Sequence, residues 1–93
     1  MSKNKLNLGK VVMTQDIAMF MDEKEFYMKV MESLNRHISG DWGNVCEEDK
    51  AENDRALESG DRILSAYETS HGKIWIITEW DRSVTTILFP SEY

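Results

Sequence analysis

From residue 22 to residue 38, apolar side chains recur every four positions. Phe26, Val30, Leu34 and Ile38 form one stripe, and Tyr27, Met31 and His37 widen it. Glu23, Lys24, Lys29, Glu32, Asn35 and Arg36 fall largely off that stripe, as expected of a helix that buries one face and wets the other. Asp22 and Glu25 have the spacing of a capping box at its start, and Gly40 supplies a stop at its end. On this reading His37 sits at the edge of the buried stripe. The period then changes. Arg62 to Glu68, Lys73 to Glu79 and Val84 to Phe89 are β-branched and aromatic runs, joined by Thr69-Ser70-His71-Gly72 and Trp80-Asp81-Arg82-Ser83. Both joints have hairpin length, which predicts a three-stranded antiparallel meander. In its middle strand Ile74, Ile76, Thr78 and Trp80 alternate with Lys73, Trp75, Ile77 and Glu79, so both faces carry large apolar groups. One face is expected on the Phe26/Val30/Leu34 helix. The other needs cover from a second helix, the N-terminal segment or another molecule, a homodimer mate included.

The rest of the chain reads less sharply. Residues 1–8 are expected to be a flexible tail, Gly9 to Thr14 an edge strand, and Asp16 the cap of a short helical turn through Met21. Gly40-Asp41-Trp42-Gly43 is a turn carrying an aromatic, and Glu47 to Ser59 is a second helix ended by Gly60. Its apolar stripe is narrow: Cys46, Lys50, Asn53 and Leu57, with Ala51 and Ala56 beside it. No repeat, linker or low-complexity tract divides the chain, so residues 1–93 are read as one small α+β domain.

Composition excludes several classes. With 41% hydrophobic and 30% charged residues, five Gly and one Pro, the chain is an ordinary globular sequence rather than a disordered or fibrous one. Its apolar runs fall far short of the roughly 18 residues that cross a bilayer. A single cysteine, Cys46, forms no intrachain disulfide, which favours a reducing, cytoplasmic setting. The net charge of -6 argues against direct nucleic-acid or membrane binding and for a protein partner. All of it arises between residues 41 and 61, where Asp41, Glu47, Glu48, Asp49, Glu52, Asp54, Glu58 and Asp61 face only Lys50 and Arg55.

Several strings carry a resemblance: Gly40-Asp41-Trp42-Gly43 with Cys46-Glu47-Glu48-Asp49-Lys50, Leu64-Ser65-Ala66-Tyr67, Lys73-Ile74-Trp75-Ile76-Ile77-Thr78-Glu79, Asp81-Arg82-Ser83, and Thr85-Thr86-Ile87-Leu88-Phe89-Pro90. From about Val11 to Tyr93 the chain resembles a family of small bacterial proteins carried on plasmids, phages and other mobile elements, under labels such as "plasmid-related protein" or "type I restriction endonuclease subunit M". The chain has neither the cofactor-binding domain nor the Asn-Pro-Pro-aromatic motif that a methyltransferase needs. The resemblance implies genomic company instead, since mobile-element proteins of this size are often inhibitors of host defence, antitoxins or toxins.

Two classes of function follow. In the first, the acidic segment stands in for the phosphates of nucleic acid and binds a basic, nucleic-acid-binding host or defence protein, in the anti-restriction or anti-CRISPR manner. Asp41, Glu47, Glu48, Asp49, Glu52, Asp54 and Glu58 would carry the charge, with Trp42 and Trp75 as aromatic anchors. The same acids would also keep a helix face soluble. However, Glu48 with Glu52 and Asp54 with Glu58 are like-charged i,i+4 pairs, each costing a few tenths of a kcal/mol, which a purely structural helix would avoid. In the second class the chain is a toxin-like ribonuclease with a barnase-like or RelE-like sheet, using His71, Arg82 and Thr85. Its sheet region offers only Arg62, Lys73 and Arg82 as cations, which works against phosphate binding. His37, Cys46 and His71 show no metal-ligand spacing, so neither metal nor cofactor is expected. The non-enzymatic binder is the leading expectation.

Overall fold

The computed structural model describes residues 6–93. Its elements run β1 (Lys10–Met13), α1 (Gln15–Phe20), α2 (Lys24–Ile38), α3 (Glu47–Ser59), β2 (Ile63–Thr69), β3 (Gly72–Thr78) and β4 (Val84–Leu88), then a single 3-10 turn at Pro90–Glu92. The architecture is α+β. One four-stranded sheet has the order β1-β4-β3-β2, with the meander antiparallel and β1 added parallel to β4.

Register decides which residues meet the helices. Tyr67 pairs with Ile74, and Ile76 lies between Ser65 and Ile87, so these side chains share one face. Phe26 and Val30 of α2 and Ile17 of α1 pack on Tyr67, Ile74, Ile76 and Ile87 to make the main core. A second cluster forms at the other end from Leu6, Trp42, Ala56 and Ile63, with Leu8, Val45 and Leu57 against it. Leu6 and Leu8 therefore belong to the fold, and the Leu6 N–H donates to the Ile38 carbonyl at 3.0 Å. The flexible tail expected over residues 1–8 does not extend to these positions, because Leu6 is sequestered under Trp42; residues 1–5 lie outside the described residues.

The capping box expected at Asp22 does not form. The Glu23 N–H closes a turn onto the Phe20 carbonyl, so α2 starts one residue later with Glu23 at its N-cap. The Glu23 carboxylate turns away to the His71 ring at 2.8 Å. Similarly, α1 is preceded by Thr14, not Asp16, and the Thr14 hydroxyl donates to Glu92 at 2.7 Å instead of capping. The end of α3 is as the sequence indicates: Gly60 takes a left-handed conformation, φ 82°, that other residues adopt at a cost.

The outer edge of β2 is closed twice. The Asn44 N–H donates to the Ala66 carbonyl at 2.7 Å, and the Ala66 N–H to the Trp42 carbonyl at 3.2 Å. One pleat further on, the Asn53 amide of α3 donates to the Leu64 carbonyl at 2.8 Å. The β2 edge thus presents few free backbone groups to a neighbour. On the sheet face away from α2, Tyr93 lies edge-on to Trp75 with ring centres 5.6 Å apart, so the chain's own C-terminal turn supplies part of the cover.

Candidate functional site

Inward-facing polar side chains on three strands converge on α2. His37 is fully buried, as are Ser65, Thr78 and Thr85. The ring reaches Ser65 Oγ from Nδ1 at 2.6 Å and Thr78 Oγ1 from Nε2 at 2.9 Å, and Thr78 meets Thr85 at 2.8 Å. Proton direction follows from the far end. Thr85 has one hydroxyl hydrogen and donates it to the Leu8 carbonyl at 2.8 Å, so Thr78 must donate to Thr85 and accept from His37 Nε2–H. Nδ1 is then the acceptor and Ser65 the donor. The imidazole is neutral, and burial, reinforced by the nearby Arg82 cation, pulls its pKa down to about 4. His37 therefore sits at the centre of the buried face, not at its edge, and binds the strands together rather than facing solvent.

The ribonuclease constellation is not assembled. His71 lies in the β2–β3 hairpin, stacked on Phe20 with ring centres 3.8 Å apart. Arg82 lies in the β3–β4 turn, at the opposite end of β3, a strand of seven residues and so about 20 Å away. Thr85 is buried in the His37 network with its hydroxyl committed to Leu8. Arg82 is a brace: its guanidinium donates to the carbonyls of Ala56 at 2.8 Å, Asp61 at 2.7 Å and Glu79 at 3.1 Å. Those bonds hold Arg82 at φ 60°, a left-handed conformation that no other non-glycine residue adopts among the described residues.

The acidic segment separates into two groups. Asp41 and Asp54 are occupied. Asp41 takes a forked pair of bonds from Arg36 at 2.8 and 3.2 Å, and that bond, aided by the Gly43 N–H, holds its carboxyl below the ordinary range. Asp54 accepts from the indole N–H of Trp42 at 2.9 Å. Trp42 is 3% exposed and packs under α3, so it is a core residue and not the surface anchor expected of it. Trp75 is half-buried against Tyr93.

The other group stays on the water-facing side of α3. Burial of Asn53 and Ala56 fixes the helix's rotation and turns Glu47, Glu48, Asp49, Glu52 and Glu58 outward. Lys50 and Arg55 are each paired within the helix, to Glu47 at 3.6 Å and Glu52 at 2.8 Å. Glu48, Asp49 and Glu58 have no ion pair among the described residues. The first three acids also complement the positive end of the helix dipole.

Of the three tryptophans, Trp80 is the one the fold leaves open, at 66% exposed. It sits in the turn that Arg82 fastens to the end of α3. Its place in the connection between β3 and β4 lets the side chain extend past the sheet instead of into it. Among the described residues, no group of three or more His, Cys, Asp or Glu is arranged to hold a metal, and no helix is long and apolar enough to cross a membrane. Comparisons with protein-family models, with curated proteins and with solved structures find no match.

Proposed function

We propose that the chain is a non-enzymatic interaction module that offers the outer face of α3, together with Trp80, to a basic protein, of the kind that binds or processes nucleic acid. This is the role expected of a mobile-element inhibitor of a host defence complex. The observation that carries the reading is the division of labour among the acids. Asp41 and Asp54 serve the fold, whereas Glu48, Asp49 and Glu58 are exposed and make no ion pair among the described residues. Carboxylates spaced along a rigid helix can meet the Arg and Lys side chains of a phosphate-binding groove, and an exposed indole on a braced turn adds an apolar and cation–π contact. The separation of His71 from Arg82 removes support from the ribonuclease alternative. The test is Glu48→Lys, Asp49→Lys and Glu58→Lys together, which leaves the Trp42–Asp54 and Arg36–Asp41 bonds in place. The triple variant is expected to remain folded, somewhat less stable because two lysines then oppose the dipole in the first turn of α3, and to lose a partner that the parent chain binds at low salt. Undiminished binding by the triple variant overturns the proposal.

A further inference from the structure

The two edges of the sheet are treated differently. That of β2 is closed by Trp42–Asn44 and Asn53, whereas β1 is an edge with nothing beside it among the described residues. The Lys10 N–H donates to Ser83 and the Thr14 N–H to Ile87, so the alternating ladder turns the N–H and C=O groups of Val11 and Met13 outward. Val11 and Met13 are 40% and 38% exposed. An open strand with apolar flanks is a template for another strand.

We infer that this edge pairs with the β1 edge of a second copy, antiparallel about a two-fold axis through Val12. That register places Val11 opposite Met13 and Met13 opposite Val11, the two positions whose backbone groups face out, so four N–H···O=C bonds form with Val12 between them. Cross-strand partners share a face, so Val11 packs on Met13 of the second copy. On the opposite face Lys10 lies across from Thr14 of the second copy. Thr14 Oγ1 is 2.7 Å from Glu92 Oε1, and that hydrogen bond, followed by one from the Phe89 N–H, keeps the Glu92 carboxyl below its ordinary range and charged. Each Lys10 therefore reaches a carboxylate of the other copy, twice by symmetry. This matching of apolar with apolar and cation with anion under one two-fold operation favours a second copy over an unrelated strand.

The acidic helices do not oppose the pairing. Each α3 lies by the β2 edge, and in the resulting eight-stranded sheet the two β2 strands stand seven spacings, about 34 Å, apart, some three screening lengths at ordinary salt. A four-residue strand contact is small, so the dimer belongs to the weak, concentration-dependent class.

The experiment is sedimentation of the full chain from about 10 µM to about 1 mM, beside Val11→Pro and Lys10→Glu. Proline at position 11 removes an outward N–H and leaves the β1–β4 bonds intact. The parent is expected to pass from monomer to dimer, with dimerisation weakened about tenfold or more in Val11→Pro and several-fold in Lys10→Glu. Amide exchange of the parent supplies a second reading that needs no variant to fold: the Val11 and Met13 amides gain protection as concentration rises. A parent monomeric throughout, a dimer indifferent to Val11→Pro, or Val11 and Met13 amides that exchange equally fast at both concentrations overturns the inference. Protection of those amides only when a different, extended peptide is added overturns it as well.

Discussion

Arg82 and Ala56 are 26 positions apart in sequence, yet the guanidinium of one donates to the carbonyl of the other at 2.8 Å, tying the β3–β4 turn to the last helical turn of α3. Arg82→Ala is expected to destabilise the protein by about 1–3 kcal/mol, because three backbone carbonyls lose a charged donor. Arg82→Lys recovers only part of this, since an ammonium does not reproduce the spread of the guanidinium fork. Denaturant unfolding of the three proteins measures the difference.

The His37 network makes stability depend on pH in a defined window. Unfolded, the imidazole titrates near its ordinary 6.5, whereas in the fold burial lowers it to about 4, so between these values the unfolded chain binds the extra proton. Stability is therefore full above about pH 6.5 and falls as the pH drops towards 4, by roughly 3 kcal/mol in all. His37→Gln is expected to be less stable at neutral pH and to lose this part of the slope. Melting temperatures across pH 4–7 for both proteins give the comparison.

Gly43 touches β2 backbone to backbone. A Cβ there would run into the Ala66 carbonyl and come 2.7 Å from the Tyr67 ring, at a left-handed φ of 75°. Gly43→Ala is expected to cost about 3 kcal/mol or more, read from the shift in denaturation midpoint, while Gly60→Ala, which meets nothing within 4 Å, costs only its backbone strain of about 1 kcal/mol.

Exposure makes Trp80 a clean probe. Trp80→Ala is expected to change stability by less than about 0.5 kcal/mol and to weaken partner binding by tenfold or more, as at an interface anchor. Trp42→Ala, by contrast, empties the second core cluster and is expected to unfold much of the protein. Thermal melts and a binding titration on both variants separate the two roles.

Local pattern was enough to locate α3, from Glu47 to Ser59, and the three meander strands to within a residue, because helix stops, hairpin lengths and β-branched runs are signals carried by neighbours in the chain. It was not enough to show that β1 joins β4 in parallel, since that pairing depends on how the chain returns across the whole domain. Strand alternation puts Thr78 on the face of Ile74 and Ile76, but the polar cluster it joins was not legible, because His37, which bonds Ser65 and Thr78, lies on a helix whose angle to the sheet is set by packing. Trp42 was misread for a related reason: a turn with two glycines looks exposed, and here it folds under α3 so that its indole can reach Asp54. Among the acids, the charge and its location are legible in the sequence, but the closure of the turn onto Arg36, which occupies Asp41, and the rotation of α3, which brings Asp54 to Trp42, depend on packing.

The most direct test of the proposed interaction is affinity capture from host lysate at low and high salt, using the parent chain and the Glu48→Lys, Asp49→Lys, Glu58→Lys variant side by side, with the bound proteins identified by mass spectrometry. The account predicts that a basic, nucleic-acid-processing protein is retained by the parent at low salt, released at high salt, and absent from the variant. Equal retention by the folded variant, or a partner whose binding is indifferent to salt, would contradict it.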